Sequence, residues 1–133
     1  MPVKAAVVVG FCALAVAGPA MAHHSFSMFD RDQTLTLNGV VKELEWTNPH
    51  SWLVVMVTDN GGKVIEYPLE MQATGQAMKN GWKSDSVKPG DKVSVVMHPL
   101  KSGSHGGQLL YVTLPDGHKL AVTRGPVTPN TNE

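Results

Sequence analysis

The stretch Thr34-Leu35-Thr36-Leu37-Asn38-Gly39-Val40-Val41-Lys42-Glu43-Leu44-Glu45-Trp46 decides the fold of this 133-residue chain. Leu35 and Leu37 alternate with Thr34, Thr36 and Asn38, the period-two pattern of a half-buried strand. After Gly39 the parity changes, so that Val40, Leu44 and Trp46 share a face. A glycine where the alternation slips predicts a β-bulge, which bends and coils a strand. A long coiled strand is what a small barrel needs in order to close.

Working outward, Thr47-Asn48-Pro49 interrupts the run, and residues 52–58 return as a nearly continuous apolar strand. Asn60-Gly61-Gly62 is a hairpin turn leading into a third strand over residues 63–69. Thr74 is expected to cap a short helix through Gln76, Ala77, Met78 and Lys79, ended by Gly81. Beyond the turn at Lys88-Pro89-Gly90-Asp91, the alternation of Val93, Val95 and Met97 marks a fourth strand, and residues 108–114 a fifth. A glycine-rich loop over residues 102–107 joins them, and Pro115-Asp116-Gly117 turns into a short strand over residues 119–122. Three strands, a short helix, then two or three strands is the order of an OB-like barrel. The fold class is therefore mainly β, with a small sandwich of the same strand count as the alternative.

Residues 1–22 stand apart as an expected signal peptide. Lys4 supplies a positive start, residues 5–17 an apolar stretch, and Ala20-Met21-Ala22 the small-x-small pattern at which such peptides are cut. The apolar stretch is short against the roughly 20 residues of a membrane-spanning helix. No stable membrane insertion is expected after cleavage, and the predicted location is periplasmic or secreted. Cleavage after Ala22 would leave a barrel domain over residues 23–122 and a polar tail over residues 123–133, expected to be poorly ordered. The one cysteine, Cys12, would be lost with the leader, leaving neither disulfide nor thiolate.

The precursor balances 11 Lys and Arg against 11 Asp and Glu, with the basic residues scattered. That excludes the basic excess of a nucleic-acid-binding domain. No phosphate loop or nucleotide fingerprint is present. Ser25, Ser51 and Ser104 each lie near a histidine but in no nucleophile motif, and no catalytic residue is assigned.

The histidines carry the remaining information. Cleavage after Ala22 would place His23 at a free N-terminus with His24 behind it, and His50 follows Pro49 in the turn between the first two strands. An N-terminal histidine can chelate with its α-amino group and ring Nδ1, and a third nitrogen from elsewhere completes a set that suits copper. The arrangement resembles the histidine brace of lytic polysaccharide monooxygenases and of some periplasmic copper carriers. Here His23, His24 and His50 are the expected metal ligands, with Met28 and Asp30 as outer contributors. The plainer alternative is that His23 and His24 belong to a loose chain end and His50 to a turn. His98, His105 and His118 read as solvated, and Met56 and Met97 as core. Trp46, Trp52 and Tyr67 are the expected ligand-binding aromatics, since Trp46 and Trp52 flank the turn that carries His50. The alternative for them is to plug the end of the barrel.

The segments His23-His24-Ser25-Phe26-Ser27-Met28-Phe29-Asp30, Gly39-Val40-Val41 and Trp46-Thr47-Asn48-Pro49-His50-Ser51 resemble a family of small exported bacterial proteins of unknown function. Gly81-Trp82, the 88–93 turn and Leu114-Pro115-Asp116-Gly117 also match its pattern. The resemblance implies a periplasmic OB-like domain and marks His23, His24 and His50 together. Glu66-Tyr67-Pro68-Leu69-Glu70 departs from it, because the family favours a tryptophan near Tyr67. The expected function is copper binding as a carrier or sensor. A non-metal module holding a small ligand or a protein partner is the first alternative, and a copper-dependent oxidoreductase the second.

Overall fold

The computed structural model describes residues 28–122. Its elements are β1 (Leu35–Glu45), β2 (Trp52–Thr58), β3 (Val64–Glu70), α1 (Thr74–Lys79), β4 (Lys92–Pro99), β5 (Gly107–Thr113) and β6 (Lys119–Ala121). Strands pair in the order β3-β2-β1-β4-β5, and a short parallel pairing of β3 with β5 closes the ring into a five-stranded barrel. This is the OB-like architecture expected from the element order. β6 adds to the outer edge of β5. The leader assigned to residues 1–22 and the tail assigned to residues 123–133 lie outside the described residues. No described helix is long and apolar enough to cross a membrane.

β1 serves two neighbours. Its first half pairs with β4 and its second with β2, and Val40 pairs with both Lys92 and Met56 where the two meet. The register shift expected at Gly39 instead falls between Val41 and Glu43. Parity therefore changes at Lys42, and Val41, not Val40, lies in the core with Leu44 and Trp46 packed against it. Gly39 has a different task. A Cβ there would run into the carbonyl oxygen of Met56 and the Val55 side chain, so the missing side chain lets β2 cross close to β1. The bulged Lys42 donates a 2.7 Å hydrogen bond to Glu66 on β3. That bond, with the attraction of the same carboxylate, holds the exposed ammonium pKa above its ordinary value.

The core gathers Val41, Leu53, Val55, Leu69, Val95, Met97, Leu109 and Val112 from the strands. Each such burial contributes roughly 1.5–3 kcal/mol of hydrophobic stabilisation. α1 and the chain after it add Ala77 and Trp82, the largest fully buried side chain, whose Nε1–H donates to the Ala121 carbonyl at 2.9 Å. Gly81, at φ +92°, ends the helix as expected, with Gly81 N–H donating to Met78 O and Trp82 N–H to Ala77 O. The other end differs from the expectation. Ala73 is the N-cap and makes no side-chain cap, and Thr74 is the first helical residue. Its N–H donates 2.9 Å to Oδ1 of Asn48, in the turn after β1. Met97 is core, as expected, whereas Met56 is half-buried outside the core cluster.

Candidate functional site

The turn between β1 and β2 is held from several directions. Thr47 Oγ1 donates to the His50 carbonyl at 2.7 Å, and Ser51 Oγ donates to the Thr47 carbonyl at 3.0 Å. Ser51 is fully buried and exchanges backbone bonds with the chain after β3, accepting from Met71 N–H and donating to Gln72 O. Its hydroxyl is thus committed to the turn. Asn48, joined to Pro49 by a cis peptide, ties the turn to α1 through Thr74. His50 sits on this frame.

The His50 ring is fixed at one nitrogen. Nδ1 lies 3.0 Å from the Met71 carbonyl oxygen and 3.3 Å from Oε1 of Glu70. The Met71 carbonyl can only accept, so Nδ1 carries the proton and donates to it, with the Glu70 carboxylate close by. In the neutral ring Nε2 is then the lone-pair nitrogen left for a ligand. Metal-ligating histidines are commonly oriented by a carbonyl or carboxylate on the other ring nitrogen in this way.

Across the strands the register builds a row. Glu45 faces Trp52, Trp52 faces Glu70, Glu70 faces Gln108, and Gln108 faces His98. Residues directly opposite one another lie on one face of a sheet, and this face is turned away from the buried Leu53, Leu69, Met97 and Leu109. Glu70 is nonetheless only 8% exposed. Two cavities adjoin it. One of about 440 Å³ is lined by Arg31, His50, Glu70, His98 and Gln108, with Leu109 and Leu110 among its apolar walls. The other, of about 340 Å³, is lined by Met28, Glu45, Pro49, His50, Trp52 and Glu70. His50 and Glu70 belong to both.

Met28 reaches this place because the chain ahead of β1 is docked. Its carbonyl accepts from Lys101 N–H at 3.0 Å, Asp30 N–H donates to Pro99 O at 2.8 Å, and Phe29 between them is buried against a bridge to Leu100. His23 and His24 lie outside the described residues. Among the described residues, no three His, Cys, Asp or Glu side chains come together as a metal-holding group.

The expected aromatic patch divides. Trp52 shares the smaller cavity with His50. Trp46 and Tyr67 instead pack against the core. The reason is parity: Trp46 continues the inward face of Leu44 beyond the bulge, whereas Trp52 stands opposite the outward-facing Glu45. The Tyr67 hydroxyl meets Nδ1 of His105 at 3.1 Å, with the rings 5.1 Å apart. His98, read from sequence as solvated, is half-buried, and its Nδ1 lies 2.8 Å from the Gln33 carbonyl. Glu70 and Gln108 carried no signal in the sequence, because the pairing that brings them together joins strands far apart in the chain, and Arg31, ahead of β1, meets them only as a wall of the larger cavity.

Fold and site together define a small OB-like barrel with a histidine–tryptophan–carboxylate face beside its first hairpin. The chain belongs to a family of unknown function, DUF6152, whose model matches residues 12–109. Neither the curated proteins nor the solved structures contain a match to it.

Proposed function

We propose that the protein is an exported, periplasmic copper-binding domain, acting as a carrier or sensor, with His23, His24 and His50 as its metal ligands. On this reading residues 1–22 are a leader removed in export, and the His23 amine and ring hold the ion with one nitrogen of His50. The observation that carries the proposal is the state of His50. Its Nδ1–H is committed to the Met71 carbonyl, with the Glu70 carboxylate 3.3 Å away, leaving the Nε2 lone pair as a donor of the kind copper favours. The chain also arrives beside His50 at Met28, a wall of the same cavity. Five residues reach about 17 Å at full extension, enough to return His23 to that cavity.

The test is a Cu(II) titration of protein purified from the periplasm, with its N-terminus established by mass. One tight equivalent is expected, weakened by His50→Ala and by one extra residue ahead of His23. Absence of stoichiometric binding to correctly processed protein would overturn the proposal.

The larger cavity favours a second reading, a module for a small organic ligand. Its volume of about 440 Å³ and its apolar walls under a few polar groups suit such a ligand. Metal uptake would then be weak, non-stoichiometric and indifferent to His50→Ala.

A further inference from the structure

We infer that the smaller cavity is a Cu(I) site, in which the Met28 thioether and His50 Nε2 ligate the ion and the Trp52 indole covers it. The inference rests on the copper reading and deepens it, naming an oxidation state and two further residues.

Met28, His50 and Trp52 line one cavity of about 340 Å³. Their chemistries are complementary toward one kind of ion. A thioether is a soft, uncharged donor that suits Cu(I) and offers little to hard divalent cations. Neutral imidazole binds Cu(I) as well, and the orientation of His50 leaves Nε2 for it. An indole face attracts a cation through its quadrupole and excludes water from one side of it. Cu(I) is satisfied by two or three donors, so a thioether, an imidazole and an aromatic cover form a sufficient shell. Zinc would require about four donors in a tetrahedron. The Met28 thioether and the His50 imidazole by themselves do not make such a set.

The surroundings agree. Met28 is 41% exposed, a large apolar side chain not spent on the core, while its backbone is held by Lys101. The thioether is therefore delivered to the cavity wall by a docked segment. Glu45 and Glu70 stand on either side of Trp52 in the register and place negative charge around a monovalent cation. Glu70 also contacts His50 Nδ1, which raises the basicity of the ring toward a metal.

The experiment uses full-length processed protein without oxygen. Cu(I) is titrated in competition with a chromogenic Cu(I) chelator, and Ag(I) serves as a redox-inert probe. One equivalent of either ion should bind and quench tryptophan emission. Met28→Leu, which preserves volume at a part-exposed position, should weaken Cu(I) by about tenfold or more, a larger loss than for Cu(II), because the thioether adds little to the Cu(II) complex. Trp52→Phe should abolish most of the quenching although Trp46 and Trp82 remain. Retention of full Cu(I) affinity in Met28→Leu, or of full quenching in Trp52→Phe, would overturn the inference. Circular dichroism of each variant separates loss of a ligand from loss of fold. The two proposals also fail separately: binding of Cu(II) without Cu(I) sinks only this one, and binding of Cu(I) without Cu(II) sinks only the N-terminal chelate.

Discussion

The Nδ1 atom of His50 lies 3.0 Å from the carbonyl oxygen of Met71. Since a carbonyl only accepts, the contact selects the Nδ1–H tautomer of the neutral ring. Long-range ¹⁵N–¹H spectra at neutral pH should show His50 as this tautomer. Addition of Cu(I) or Ag(I) should then move the Nε2 resonance while Nδ1 stays protonated. An Nε2–H tautomer in the metal-free protein would contradict the hydrogen bond.

Glu70 Oε1 lies 3.3 Å from the same nitrogen, and the residue is nearly buried. Glu70→Gln keeps the shape and removes the charge. Changing a group that orients a metal-bound histidine typically costs about 10–100-fold in affinity. Copper affinity, measured by chelator competition, should fall within that range. A loss confined to thermal stability, with affinity unchanged, would show that Glu70 serves only the fold.

Asn48 joins the His50 turn to the first turn of α1 by accepting from both Thr74 N–H and Thr74 Oγ1–H. Asn48→Ala leaves that helical N–H without its acceptor, and loss of a cap costs about 1 kcal/mol. Urea denaturation should register a destabilisation of that order. His50 should also lose order, seen as broadened ring resonances. Asn48→Asp, which keeps the acceptor, should restore both.

Gly39 is a position of close approach. A methyl group there meets the backbone oxygen of Met56, which cannot rotate away as a flexible side chain would. Overpacking of this kind typically costs about 1–3 kcal/mol. Gly39→Ala should lower the urea midpoint accordingly, whereas Gly75→Ala, with open space around it, should not show a steric penalty.

Much of the fold was legible because its signals are local. The span of β2 agrees with the apolar run from Trp52 to Thr58, and Gly81 ends α1 where a residue with positive φ was needed. Expectation and structure part where a local signal has two explanations. Gly39 marks the bend in β1, but it does so by admitting β2, while the extra residue sits at Lys42. Thr74 looked like a cap, and the acceptor that serves its N–H came instead from Asn48, 26 residues earlier. Of the candidate site, His50 was legible from its place after Pro49. Its companion Trp52 could not be separated from Trp46 without knowing where parity reversed.

By itself, the sequence determined the strands, the turns and their order, because alternation, glycine and proline act on neighbouring residues. It also bounded the chemistry, since one cysteine and a balanced charge leave histidine, methionine and aromatic side chains as the informative donors. Tertiary structure alone decided which of these meet. Barrel closure pairs Glu70 with Gln108 and so carries the row on to His98, and docking of the chain ahead of β1 places Met28 on the cavity of His50 and Trp52. Those neighbours are fixed by register between strands distant in sequence, and a single bulged residue reverses which face each side chain takes.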